Sequence, residues 1–265
     1  MTGTPRPFQT LTVRQQGVLL RVVLDRPERH NAIDELLLDE MAAALDRAES
    51  TPELRVVSLE ATGPVFCSGM DLASAAGPVG PDGPAAGAAR GGARFFDLLD
   101  RITTLPRVVV AAVDGRVTGG GVGLVAASDV AVATERGSFG LPEALWGLLP
   151  CGVLPFLIRR VGAQPARLLT LTTLPVDARR AAAIGLVDEL VTDIDGWLRR
   201  LAGRLARVDG QTLADGKRYL DRLLPPPHAQ RALAVAEFSR LMSTPAARDR
   251  IDAFATGRRM PWEPA

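Results

Sequence analysis

Apolar and polar positions follow two different periods along the first half of this chain. In "LTVRQQGVLLRVVLDRP" they alternate on either side of Gln15 to Gly17, and Pro27 stops the second run, which predicts a strand hairpin. In "DELLLDEMAAALDRAES" the apolar set Leu36, Leu37, Met41, Ala44 and Leu45 falls at helical spacing, with Asp34 offering the N-cap. "LRVVSLEA" returns to a strand and "FFDLLDRITTL" to a helix. "RVVVAAVDG" is again a strand, "GGGVGLVAASD" opens a helix, and "VAVATE" closes the series as a strand. Such a strand, helix, strand rhythm specifies an α/β fold with a parallel sheet under covering helices. After Gly147 the pattern is mostly helical, in "VLPFLIRRVG", "ARLLTLTT", "DARRAAAIG" and a final set from Gly196 to Thr256. Pro225, Pro226 and Pro227 break the last helices apart.

One stretch interrupts the rhythm. "AAGPVGPDGPAAGAARGGA", residues 75–93, is too rich in Gly, Pro and Ala to bury much apolar surface. Two readings of it stay open, a disordered insertion or a lid over a site.

Composition narrows the classes. With 265 residues and 47% hydrophobic positions the chain can build a substantial core. A net charge of +1 gives no electrostatic footprint for nucleic acid. Lys217 is the single lysine among 31 basic residues, a bias towards arginine rather than a basic patch. Cys67 and Cys151 are too few for a disulfide framework and share no metal-ligand spacing with His30 and His228. No leader pattern or run of roughly 18 apolar residues is evident, so a cytoplasmic protein with no membrane partner is expected.

Candidate chemistry lies where loops leave the carboxyl ends of parallel strands. "GPVFCSGMDL" follows one strand, and Gly69 would let its neighbour's amide turn inward. "GRVTGGGVGL" follows another, and its triple glycine leads into a helix whose first amides lack internal partners. Together they could aim two backbone N–H groups at one developing negative charge. In "FGLPEALWGLLP", Glu143 has two readings: a desolvated carboxylate suited to proton transfer, or a first-turn residue held by the helix dipole after Pro142. Cys67 has no evident histidine partner and reads as a small packing residue, and Trp146 as pocket wall or core.

"LDRPERHNAI", "GPVFCSGMD", "VVVAAVDGRVTGGGVGLVAASDVAVATE", "SFGLPEALWGLLP" and "AAAIGLVDELV", in that order, resemble the enoyl-CoA hydratase/isomerase, or crotonase, family from about Leu11 to Pro261. The resemblance implies a crotonase (ClpP-like) fold of repeated ββα units over residues 1–195 and a C-terminal helical trimerisation region over 196–265. It implies a homotrimer or hexamer, and no cofactor beyond a substrate thioester carried on coenzyme A or on the phosphopantetheine of an acyl carrier protein. Its first oxyanion-hole amide falls on Met70, after Gly69, and its second on Gly120. The glycine at 120 then leaves room for the thioester oxygen, while Gly119 and Gly121 bend the chain into the helix. Arg29 and His30 match a region near the pantetheine arm, or are solvated helix-entry residues. Phe254 is implied near a neighbouring subunit's ligand, and Arg258 facing phosphate.

The chain departs from that pattern in one place. Hydratases of the family usually carry two catalytic glutamates; here the later one matches Glu143, and the earlier position is Gly123. Gly123 is therefore expected to free space beside the substrate's β-carbon. "FCSGMD" and "LPEALWGLLPCGVLPFLIRRVGAQPARLLTLTT" resemble more narrowly the first crotonase of polyketide β-branching cassettes. That subfamily dehydrates 3-hydroxy-3-methylglutaryl-carrier protein to 3-methylglutaconyl-carrier protein. The alternatives are a Δ3,Δ2-enoyl-CoA isomerase or other acyl-CoA hydratase, and a non-catalytic acyl-thioester-binding scaffold.

Overall fold

The computed structural model describes residues 8–72, 83–224 and 226–257. The hairpin forms as β1 (Leu11–Gln16) and β2 (Leu19–Leu24), and α1 spans Glu35–Ser50 with the Asp34 side chain accepting from Leu37 N at 2.9 Å. Three strand pairs follow. β3 (Val56–Ala61) runs into β4 (Val65–Cys67), β5 (Val108–Val113) into β6 (Arg116–Thr118), and β7 (Val130–Ala133) into β8 (Ser138–Gly140). A helix separates each pair from the next: α2 (Gly83–Thr104) after the first and α3 (Gly120–Ala127) after the second.

Within every pair the two strands go to different sheets. The first members join a six-stranded sheet of order β1-β2-β3-β5-β7-β10, parallel except for β1, where β10 is Glu189–Leu190. The second members form a four-stranded sheet of order β4-β6-β8-β9, with β9 at Val176–Asp177. This is an α/β fold of repeated ββα units.

Strand periodicity explains why "VVVAAV" is apolar throughout. Leu20, Val57 and Val109 lie in register across three strands and face the main core with α1 and α2. Their neighbours Leu19, Val56 and Val110 face the opposite side, covered by Leu198 of α7 (Ile194–Leu205). A sheet buried on both faces needs no polar alternation.

The remaining helices are α4 (Leu154–Val161), α5 (Ala163–Thr172), α6 (Ala178–Ala183), α8 (Gly210–Leu223), α9 (Arg231–Met242) and α10 (Pro245–Ala255). Among the described residues no helix is long and apolar enough to cross a membrane. The C-terminal helices fold back over their own chain, with α9 lying along α2.

Part of the stretch expected as a loop is helical. Residues 83–93 continue "ARFFDLLDRITT" upstream as one helix, α2; residues 73–82 lie outside the described residues. Each mid-helix glycine costs about 1 kcal/mol relative to alanine. Tertiary packing offsets that cost: a Cβ on Gly92 would come within 2.9 Å of the Phe238 ring of α9, so the bare backbone lets the two helices approach. Local composition held no sign of that partner, more than 140 residues away along the chain.

Candidate active site

β4, β6 and β8 are parallel neighbours in one sheet, pairing Cys67 with Val117 and Thr118 with Gly140. Their carboxyl ends therefore release three loops side by side: Ser68 to Asp71, Gly119 to Gly121, and Leu141 to Trp146. Ligands of α/β folds collect at such ends.

The first two loops touch through bare backbone. Gly69 has φ +84°, and a Cβ there would lie 2.9 Å from Gly120 N and 3.0 Å from Thr118 O, so neither the angle nor the space admits a side chain. On its other side the loop is pinned by residues 30–33. Ser68 N donates to His30 O at 3.1 Å, Ile33 N to Gly69 O at 2.7 Å, and Asp71 N to Ile33 O at 2.9 Å. These bonds alternate around Met70. Among the described residues neither the Met70 N–H nor the Gly120 N–H, the latter at the first position of α3, is engaged by another group.

Gly119 makes the turn between β6 and α3 at φ +56°. Gly121 has a different reason to be glycine from the expected bend into the helix. A Cβ there would meet Cys67 O at 2.7 Å, so it is the close packing of α3 on β4 that excludes a side chain.

The third loop carries the carboxylate. Glu143 opens a 3-10 turn, Glu143–Trp146, directly after Pro142. A Cβ on Gly119 would stand 3.2 Å from Glu143 Oε1, which places the carboxyl group against the triple glycine. Its Oε2 is buried and, among the described residues, has no hydrogen-bond partner. Burial raises the Glu143 pKa to about 7, against a smaller lowering by its own backbone N–H. Such a group changes protonation state readily near neutral pH.

Met70, Gly119, Gly120, Glu143 and Trp146 line one cavity of about 500 Å³. α2 forms a further wall, and Phe238 and Met242 of α9 close the cavity from the same chain. Its mainly apolar lining keeps water from the Glu143 carboxylate. The arrangement can bind an acyl group, hold negative charge on its oxygen through two amides, and move a proton beside it.

Other expected residues lie elsewhere. Gly123 is absent from the cavity wall: a Cβ there would meet Leu99 Cδ1 at 3.0 Å, Val153 Cγ2 at 3.1 Å and Phe95 Cζ at 3.2 Å. The space expected at Gly123 is thus filled by apolar side chains, which corrects the expectation of room beside a substrate carbon. Phe95 itself lines the cavity and reaches both Gly120 and Gly123. The period of "FFDLLDRITTL" marked a helix but could not say which ring would cover the site.

Arg29 and His30 do not line the cavity. Arg29 forms ion pairs with Asp71 and with Asp34, tying α1 to the Met70 loop, and His30 holds that loop through its carbonyl. Phe254 stacks edge-on against Trp146 of its own chain, with ring centroids 5.1 Å apart at 81°. The physical reason is the return of α10 over the Glu143–Trp146 turn, where Ala247 and Ile251 pack on Trp146. Arg258 lies outside the described residues. Cys67 is fully buried and its thiol is pushed up to about 12 by burial, which leaves it a packing residue.

The chain belongs to the enoyl-CoA hydratase/isomerase family, whose sequence profile matches residues 14–264, and it is a crotonase-type lyase. It is 33% identical to the bacillaene synthase dehydratase PksH of Bacillus subtilis, over 97% of each chain. The crystal structure of a polyketide biosynthesis enoyl-CoA hydratase (pksH) from Bacillus subtilis superposes with a TM-score of 0.86 at 31% identity, covering 96% of this chain and 100% of that one. An enoyl-CoA hydratase from Mycobacterium avium gives 0.83 at 31% identity, covering 96% and 99%.

Proposed function

We propose that this enzyme dehydrates 3-hydroxy-3-methylglutaryl-carrier protein to 3-methylglutaconyl-carrier protein during polyketide β-branching. The observation that carries the reading is the buried, unpartnered Glu143 Oε2 in a cavity shared with Met70 and Gly120. Similarity along almost the whole chain to a polyketide synthase dehydratase supports the substrate class.

In the proposed reaction the thioester oxygen accepts hydrogen bonds from the Met70 and Gly120 amides. Glu143 takes a proton from the carbon next to the thioester, and the electron pair moves onto the oxygen as an enolate. The pair then returns to form the carbon–carbon double bond as the β C–O bond breaks. The proton held by Glu143 leaves with the hydroxyl as water, restoring the carboxylate. Two preorganised amides serve this step well, since losing one such donor typically costs about 3–4 kcal/mol. A single carboxyl group with pKa about 7 can both take and return the proton.

Assembly as a homotrimer or hexamer, with 196–265 as the assembling region, completes the proposal. The exposed side chains of Leu171 in the last turn of α5, of Leu174 just after it, and of Tyr219 and Leu223 on α8 supply apolar surface for neighbouring copies. A mass-spectrometric assay tests the reading by offering 3-hydroxy-3-methylglutaryl-carrier protein and a 3-enoyl-CoA side by side. Loss of 18 mass units, about one water, from the first alone supports it. Conversion of the second alone, with its double bond moved, would make the enzyme an isomerase.

A further inference from the structure

We infer that Phe95 is a specificity-determining residue: its ring covers one side of carbon 2 of the bound acyl chain and admits only thioesters that carry no branch there. The inference rests on the proposed hold of the Gly120 amide on the thioester oxygen and deepens it by naming the side chain that shapes the acyl group beside that oxygen.

Three bare backbones seat the ring. A Cβ on Gly120 or on Gly123 would lie 3.2 Å from Phe95 Cζ, and one on Gly152 would lie 3.3 Å from Phe95 Cδ1. A side chain at any of these positions would push the ring aside. Gly120 and Gly123 belong to the first turn of α3. Gly152 lies on the segment that leaves the base, where Leu148 N donates to Glu143 O at 3.0 Å. The ring therefore bridges the start of α3 and the chain after Glu143, at the end of the cavity where the carboxylate stands. Its neighbour Phe96 is fully buried and pairs with Phe156 in the core, whereas Phe95 is half-buried and lines the cavity.

Distance decides which part of the acyl chain meets the ring. A Cβ stands about 2.5 Å from its own backbone nitrogen, so Phe95 Cζ lies within about 6 Å of the Gly120 nitrogen. An oxygen accepting from that nitrogen sits about 2.9 Å from it, and the nearest carbon to that oxygen able to carry a branch is carbon 2. Two apolar carbons need about 3.5–4.0 Å between them. The gap at the ring thus suits a hydrogen on carbon 2 and not a methyl group. Glu143 adjoins Gly119, the residue before Gly120. Of the two hydrogens on carbon 2, one faces the carboxylate and the other the ring, and a methyl in place of the second strikes Phe95. Ile33 Cδ1, 3.1 Å from the same Gly120 Cβ position, limits how far the chain can draw back.

The test uses ligands that have no hydroxyl to lose, 3-methylglutaryl-pantetheine and its two 2-methyl derivatives of opposite configuration at carbon 2. All are joined through an amide in place of the thioester, so that carbon 2 keeps its configuration. Calorimetry gives Kd for each with the wild-type protein, Phe95→Ala and Phe95→Leu. The wild type is expected to bind both 2-methyl ligands about tenfold or more weakly than the parent. Phe95→Ala should bring one of them, whose methyl points at the ring, within about threefold of the parent and leave the other weak. Phe95→Leu should fall between for the same ligand, and decides the matter should Phe95→Ala lose its fold. A wild type that binds all three ligands alike would overturn the inference. So would an equal loss of affinity for all three in the variants, the mark of a ring that only packs, or an equal recovery of both 2-methyl ligands. Turnover is judged apart from this: discrimination that depends on Phe95, without dehydration of the hydroxymethylglutaryl thioester, would leave the inference standing and refute the proposed reaction.

Discussion

Gly69 and Gly120 meet backbone to backbone, so that a single methyl group on Gly69 would come within 2.9 Å of the Gly120 nitrogen. This contact brings the Met70 and Gly120 amides to one place. Gly69→Ala should push the two loops apart and also strain a φ of +84°, at a cost of about 1–2 kcal/mol in stability. Turnover is expected to fall at least tenfold beyond any loss of folded protein. Gly120→Val should abolish turnover, since its side chain would collide with Ile33 and Phe95 and fill the oxygen's place. Steady-state kinetics on protein checked by circular dichroism provide the measurement, and full activity in Gly120→Val would mean the amides do not hold the substrate.

Packing around Gly123 changes what a carboxylate there would do. Because Leu99, Val153 and Phe95 already crowd the position, Gly123→Glu should overpack the core and bury an unpaired carboxyl group, destabilising the fold by about 2 kcal/mol or more. Activity should fall alike on branched and unbranched 3-hydroxyacyl thioesters. Adding Phe95→Ala to the variant is expected to recover part of the melting temperature. A Gly123→Glu protein as stable as the wild type and impaired only on the branched thioester would restore the view that this glycine houses the branch.

Much of the site was legible before the fold was known, and for a physical reason. Gly69, the triple glycine and Glu143 each follow an apolar strand, and strand periodicity together with Gly and Pro punctuation is a local signal. That signal placed β3, β5, β7 and α3. The short strands β4, β6 and β8 are three residues each, too brief to show a period, yet they set the three loops side by side. Phe95 over Gly123, Arg29 on Asp71 and Phe254 on Trp146 depend on contacts between distant segments. Local pattern carries no such information, and the helix over residues 83–93 was hidden for the same reason.

The raised pKa of Glu143 ties activity to pH. The base must be ionised, so kcat/KM should rise tenfold per pH unit below about 7 and level off above it. Stability should run the other way. A buried carboxyl group with its folded pKa raised from 4.5 to about 7 binds more protons folded than unfolded, so its contribution declines as pH climbs through that window. Melting temperatures of the wild type and Glu143→Gln, measured from pH 5 to 8, should diverge accordingly, with the variant less sensitive to rising pH. Parallel curves would contradict the assignment.

Lys217, the only lysine, anchors α8 to the core. Its Nζ donates to Asp129 Oδ2 at 2.6 Å and to Arg107 O at 3.0 Å, while Asp129 also accepts from Val109 N at 2.7 Å. Burial holds the Lys217 pKa down and Asp129 up, each opposed by the partner's charge. Lys217→Met leaves Asp129 without its cation and should destabilise the protein by about 3–5 kcal/mol in urea denaturation. A loss below about 1 kcal/mol would place the pair among weak surface contacts.

Glu143 as the proton-transferring group is the claim on which the reaction stands, and its removal in an otherwise unchanged cavity tests it most directly. Dehydration of 3-hydroxy-3-methylglutaryl-carrier protein should be followed by mass spectrometry under single-turnover conditions for the wild type and Glu143→Gln. Binding of the 3-methylglutaryl-pantetheine ligand serves to confirm that the variant's site is intact. The rate is expected to fall at least 100-fold with binding preserved, since a positioned general base contributes about 10² to 10⁴. A Glu143→Gln protein that dehydrates the substrate within a few-fold of the wild-type rate would contradict the mechanism.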